Sequence, residues 1–257
     1  MGTGIDRVMV LLATSATLAL NGLASTAGIN GRSTGAVANQ YDLPFTPAGY
    51  VFSIWGLIYL ALVAFSAWQF SASGARSARA AAIRSIYVFS AAANMAWLWF
   101  WHHEALAAAM VVMLLLLASL AVIYRQLSGS PPASRLEAWC LDVPFRLYLA
   151  WITMAALANL SVVVAEATGL PLSFDPIIWS QGMLVAALVI GALVFARLRD
   201  PIYLCVISWA AVGIALKGGQ APAVSVPAMI VAGLAGLGAV GLLLAPPRAG
   251  SDQSTTR

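Results

Sequence analysis

Eight stretches of this chain are apolar over the length of a lipid-spanning helix, and no other feature constrains its folding as strongly. They cover residues 7–24, 50–70, 84–102, 105–124, 138–165, 177–197, 201–217 and 223–245. A helix needs roughly 20 apolar residues to cross the hydrocarbon core, where every backbone polar group must be satisfied within the segment. The shortest run, 201–217, opens at Pro201, and the longest, 138–165, must tilt or extend past the membrane surface. Charge is correspondingly scarce: 9% of the residues are Asp, Glu, Lys or Arg, against about 25% in soluble domains. That excludes a soluble enzyme, a disordered chain and a nucleic-acid binder, even though the net charge is +4. The expected fold is all-α, a polytopic transmembrane bundle of eight helices embedded in the lipid bilayer.

Basic residues orient the bundle. With the N-terminus in the cytoplasm, Arg7, Arg76, Arg79, Arg84, Arg125, Arg135, Arg197, Arg199, Arg248 and Arg257 fall inside, and only Arg32 and Lys217 fall outside. Eight helices with both termini cytoplasmic satisfy this bias. The first run lacks the small-x-small cleavage pattern of a signal peptide and is expected to be retained. The Met1-Gly2 start lacks the Ser or Thr of a myristoylation signal, because position 6 is Asp6. Cys140 and Cys205 lie in apolar stretches far apart, so two buried, reduced thiols are expected.

The connections are short, with 72–83 and 126–136 read as plain cytoplasmic loops. The exception is 25–49, an outer loop that ends in Leu43-Pro44-Phe45-Thr46-Pro47-Ala48-Gly49. A long loop with aromatics and prolines at a helix mouth suits a lid as well as a spacer. The linker 166–176, with Gly169, Pro171 and Pro176, divides a five-helix unit (1–165) from a three-helix extension (166–247) and a tail (248–257).

Three helices repeat one spacing. Phe52, Trp55 and Tyr59 stand at i, i+3, i+7; Asn94, Trp97 and Trp101 do the same; Tyr148, Trp151, Ala155 and Asn159 continue it. Each set lies along one helix face. An interfacial aromatic belt accounts for part of this pattern, but a belt needs no Asn. Asn94 and Asn159 are costly in hydrocarbon and must face the bundle interior, either bonding between helices or lining an aromatic cavity for a flat apolar ligand.

Other candidates carry less. Asp142 and Arg146 are i, i+4 and read as a self-neutralising pair, with a proton or anion relay as the rival reading. His102 and His103 are adjacent and point in different directions, so no metal site is expected. Lys217 beside Gly218-Gly219 reads as a helix end rather than a buried Schiff-base lysine. Gly236-Leu237-Gly238-Ala239-Val240-Gly241 satisfies GxGxxG but lies in an apolar run with no preceding strand. No nucleophile–base pair or paired carboxylates stand out, so no catalytic residue and no enzymatic activity is expected.

Residues 47–59, Pro-Ala-Gly-Tyr-Val-Phe-Ser-Ile-Trp-Gly-Leu-Ile-Tyr, resemble the start of the second helix in the tryptophan-rich sensory proteins. These are the bacterial relatives of the mitochondrial translocator protein, or peripheral-type benzodiazepine receptor. Asn94 with Trp97 is similar to the family's Asn-x-x-Trp pair, and Trp151 with Asn159 to its Trp and Asn eight residues apart. Tyr50 stands where the family usually has Trp, the segment before Trp55 is one residue shorter, and no Trp follows Asn159. The resemblance covers residues 1–165 and implies a divergent, C-terminally extended member in the cytoplasmic (inner) membrane of a bacterium. It implies a pocket for a tetrapyrrole, sterol-like or other flat hydrophobic ligand, with no other cofactor, and a homodimer as a possible assembly. Trp55, Tyr59, Asn94, Trp97, Trp151 and Asn159 line that pocket by analogy, and Pro47 and Gly49 shape its lid; Phe52, Trp101 and Tyr148 share the same helix faces. Sensing or transport is the function implied. Two rivals remain open: a secondary transporter of a small polar solute using Asp142–Arg146, and a scaffold subunit of a membrane complex without a ligand of its own.

Overall fold

The computed structural model describes residues 4–168 and 175–245. Met1 and Gly2, the linker positions Gly169 and Pro171, and the tail 248–257 with Arg248 and Arg257 lie outside the described residues. In chain order the helices are α1 (Gly4–Thr26), α2 (Thr34–Asn39), α3 (Ile54–Trp68), α4 (Ala72–Arg76), α5 (Ala78–His102) and α6 (Leu106–Ser128), followed by α7 (Arg135–Glu137), α8 (Val143–Thr168), α9 (Pro176–Leu193), α10 (Pro201–Ala215) and α11 (Pro222–Leu244). A 3-10 turn, Gly49–Ser53, leads into α3, and π-helical turns at Ala138–Asp142 and Val194–Leu198 join α7 to α8 and extend α9. Among the described residues no strand forms; Ile29 and Arg32 make an isolated bridge.

Every apolar run has become a helix. Among the described residues, six helical segments are long and apolar enough to cross a membrane: Gly4–Thr26, Gly49–Trp68, Leu106–Ser128, Arg135–Thr168, Pro176–Leu198 and Pro222–Leu244. The other two differ for physical reasons. α5 is 25 residues long but carries Arg79, Arg84 and Asn94 within it. α10 is 15 residues, about 22 Å at the usual helical rise, short of a roughly 30 Å hydrocarbon core.

α8 is the central helix. It packs against α3, α6 and α10, and its apolar window is 67% buried, against 28–39% for the other five spans. Being apolar all round, it suits that position. The outer helices instead turn Leu57, Leu60, Val111, Leu115, Val185, Leu234 and Leu237 outward, exposed, an arrangement that fits lipid and not water. α1 docks through polar groups: Thr14 Oγ1 lies 2.6 Å from both Ser66 Oγ and Tyr87 OH, and Asn21 Nδ2 donates to Asn94 Oδ1 at 2.8 Å. Such interhelical bonds contribute about 0.6–2 kcal/mol each in membranes.

Several expectations need correction. The connections 72–83 and 126–136 are not plain loops. Ser71, Ser77 and Ser134 cap α4, α5 and α7 by accepting from Gly74 N, Ala80 N and Glu137 N, each at 3.1 Å. Cys140 is buried as expected, but Cys205 is exposed on α10; both are free. Asp142 and Arg146 do not pair with each other. Arg79 Nη2 meets Asp142 Oδ1 at 2.6 Å, while Arg146 Nε faces Asp200 Oδ2 at 3.6 Å. Longer-range packing overrides the i, i+4 spacing, because the first turn of α5 and the N-cap of α10 bring better-placed partners.

Candidate functional site

The 25–49 loop is built by its own turn chemistry. Ser33 caps α2 by accepting from Ala36 N at 3.3 Å, and Asn30 and Asp42 take left-handed backbone conformations (φ 54° and 40°), which Asn and Asp tolerate best among residues with a side chain. Two anchors hold it over the bundle. At the end of α5, Trp101 Nε1 donates to Thr34 O at 3.1 Å, Asn30 Nδ2 donates to His102 O at 3.2 Å, and Arg32 is ion-paired with Glu104. At the end of α10, Lys217 Nζ donates to Leu43 O at 3.0 Å, Gln220 Nε2 to Pro44 O at 2.6 Å, and Ala48 N to Gly213 O at 3.0 Å. Lys217 is therefore a clamp on the loop. His102 and His103 turn their Nδ1 atoms to the carbonyls of Leu98 and Trp99, each at 2.8 Å.

The Glu104 end of this clamp is sensitive to pH. Hydrogen bonds from Arg32 and then Gln40 hold the Glu104 carboxyl below the usual carboxylate range. A depressed carboxyl supports the folded arrangement above its ordinary pKa, and that support is lost as pH falls through the lowered value. Acidification through that lowered value is expected to reduce the protection of amides 30–40, measured as exchange rates corrected for their intrinsic pH dependence. In Glu104→Gln, protection there is already lower at neutral pH and changes less on acidification.

Beneath the loop the predicted faces converge. Trp55 stacks on Tyr59 with centroids 5.4 Å apart and meets Tyr148 and Trp151 edge-on at 5.9 and 6.1 Å; Phe52 meets Trp151 edge-on at 5.9 Å. Trp97 stacks on Trp101 at 5.8 Å. Between these rings lies a cavity of about 60 Å³ bordered by Pro47, Phe52, Trp55, Trp97, Trp101, Trp151 and Asn159. A second cavity of about 420 Å³ lies on its α1 side and includes Gly49, Tyr59, Asn21 and Ser25; Thr34, Phe52, Trp55 and Trp97 border both. Asn94 and Tyr148 border neither: Asn94 is engaged by Asn21, and Tyr148 is buried behind Trp55.

The polar groups in this apolar site are under-bonded. Trp97, Trp151 and Asn159 are 5%, 2% and 3% exposed, yet Trp97 Nε1, Trp151 Nε1 and both side-chain polar atoms of Asn159 have no hydrogen-bond partner among the described residues. Buried groups of this kind cost about 1–3 kcal/mol each when unsatisfied.

Sequence reading missed the remaining walls. Thr34, Ala38, Phe45 and Thr46 come from the loop, Met154 and Ala158 from α8, and Ala210 and Ile214 from α10. Small or unremarkable side chains carry no periodic signal. One signal was present: Thr14, Thr17 and Asn21 on α1 repeat the i, i+3, i+7 spacing of the aromatic faces, and all three are buried.

These features define an all-helical integral membrane protein. A family model described as TSPO-like protein matches residues 7–241, and the chain belongs to that family. The match bears out the resemblance and runs from α1 through α10 into α11. No curated protein and no solved structure matches the chain.

Proposed function

We propose that this protein binds a flat hydrophobic ligand, tetrapyrrole- or sterol-like, beneath the 25–49 loop and acts in sensing or transport. The observation that carries this reading is the indole-walled cavity in which the Trp97 and Trp151 N–H groups and the Asn159 carboxamide lack partners among the described residues. A ligand acceptor satisfies the indoles, and the carboxamide both donates and accepts, fixing the orientation of a mainly apolar guest. The inner cavity of about 60 Å³ is under half the ~150 Å³ that admits benzene. The neighbouring cavity of about 420 Å³ falls in the range of roughly 300–1,000 Å³ of small-molecule sites. Binding a tetrapyrrole therefore displaces the Phe52–Trp55 wall and joins the two.

In this reading residues 1–165 form the binding bundle, residues 166–247 are an extension that lends α10 to it, and 248–257 is a tail. The eight-helix topology in the bacterial inner membrane has both termini cytoplasmic, with the short α10 crossing only through its flanking turns and local thinning of the bilayer, and a homodimer is the assembly to look for. The rival transporter reading rested on an Asp142–Arg146 pair that does not form, and no observation favours a scaffold role.

Titrating detergent-purified protein with a porphyrin while following Trp fluorescence tests the proposal. Saturable quenching is expected, with affinity about tenfold weaker in Trp97→Phe, which deletes an N–H donor. Trp55→Phe should weaken it as well, and Trp99→Phe, on an exposed residue, should leave it unchanged. Absence of saturation, or the same curve in Trp55→Phe and Trp97→Phe as in the parent, sinks the porphyrin reading.

A further inference from the structure

Every described residue that borders the two cavities beneath the 25–49 loop is uncharged. Their polar members are Ser, Thr and Asn side chains, the Tyr59 phenol and the indoles. Elsewhere the bundle answers a buried carboxylate with a cation: Arg79 Nη2 stands 2.6 Å from Asp142 Oδ1, and Arg146 Nε 3.6 Å from Asp200 Oδ2. The cations that hold the loop are matched in the same way. Arg32 is ion-paired with Glu104, and Lys217 Nζ lies 3.4 Å from Asp42 Oδ1 and donates to Leu43 O at 3.0 Å. Lys217 and Asp42 border a separate cavity of about 240 Å³. His102 borders neither aromatic cavity; its Nδ1 meets Leu98 O at 2.8 Å and its Nε2 meets Thr34 Oγ1 at 3.4 Å.

The inner cavity offers hydrogen bonds of a particular kind. Trp97 Nε1, Trp151 Nε1 and Asn159 Nδ2 are donors, Asn159 Oδ1 is an acceptor, and none has a partner among the described residues. A carboxylate has oxygens for the donors but no proton for Asn159 Oδ1, and its charge meets no cation among the described residues of either wall. Burying such a charge is costly unless it is paired. A hydroxyl accepts from one of the N–H groups and donates to Asn159 Oδ1, while a carbonyl or ester oxygen accepts without bringing charge.

We propose, resting on the ligand-binding reading above, that this site selects by charge. It takes an uncharged, mainly apolar guest whose inner end carries a hydroxyl or carbonyl oxygen, and it discriminates against the same skeleton bearing a carboxylate. The inner cavity, about 60 Å³, has room for one small polar group and not for a ring. The apolar body of the guest fills the neighbouring cavity of about 420 Å³.

The test titrates the full chain in detergent with protoporphyrin IX and with its dimethyl ester, following Trp fluorescence. The two probes share one ring system and differ in carrying carboxylates or methyl esters. The ester should bind about tenfold tighter than the free acid. Both probes partition into micelles, so the ratio of their affinities is compared between the parent and a variant. Ser25→Lys sets a cation at the edge of the outer cavity and should shift that ratio about tenfold toward the free acid. Should Lys at position 25 disturb the fold, Ala36→Lys, exposed at the edge of the same cavity, makes the same change from the loop side. If neither porphyrin saturates, the ligand-binding reading fails and charge selection falls with it. If both saturate, a free acid as tight as the ester, or a ratio unmoved in these variants, overturns the proposal and leaves the binding reading standing.

Discussion

Gly213→Ala is expected to pry α10 off the loop and open the aromatic cavity. A Cβ at Gly213 collides with the Val51 side chain and presses on Pro47 Cβ at 3.4 Å, while Gly213 O accepts from Ala48 N and Trp209 Nε1 donates to Val51 O at 3.1 Å. Helix propensity alone favours alanine by about 1 kcal/mol. Overpacking of a fitted contact costs about 1–3 kcal/mol, so the net effect is a loss of stability and of ligand affinity together. Because Val51 Cγ2 is the atom in the way, Val51→Ala in the same chain should restore much of both, a non-additivity that distant sites do not show. Thermal melts of the two single variants and the double variant check this; additive losses refute the contact as the cause.

Asp200→Ala is expected to be the most damaging single change at the arginine-rich end, at about 2–4 kcal/mol. Asp200 is buried and caps α10 by accepting from Ile202 N at 3.0 Å and Tyr203 N at 3.2 Å. Its other oxygen accepts from Tyr124 OH at 3.0 Å and faces Arg146 Nε at 3.6 Å. Deleting the carboxylate removes the cap and strands the Tyr124 hydroxyl between α6 and α10. Arg146 is partly exposed, so solvent screens its share. Asp200→Asn keeps a competent cap and should cost roughly half as much. Chemical denaturation in detergent separates the two variants; equal losses assign the role of Asp200 to charge alone.

Much of the site was legible because helical spacing converts directly into a shared face. Phe52, Trp55 and Trp151 were placed together from their intervals, and they touch. The same logic failed for Asp142 and Arg146. A spacing rule states which residues are near along one helix, whereas Arg79 and Asp200 arrive from other helices and from turns. Tyr148 and Asn94 share faces with the cavity residues yet stand behind them, since a face is wider than a cavity wall.

By itself, the sequence determined the helical, membrane-embedded character of the chain and its family. Apolar runs with almost no charge leave the backbone no other way to satisfy its hydrogen bonds in lipid, and the Trp/Asn spacing survives in one dimension. Only the tertiary structure decided that α10, read as part of a separate extension, closes the aromatic cavity through Ala210 and Ile214. Only it showed that Lys217, Gln220 and Gly213 hold the loop in place. Those contacts join residues more than 150 positions apart, and small side chains at a close approach leave no periodic mark by which a sequence announces them.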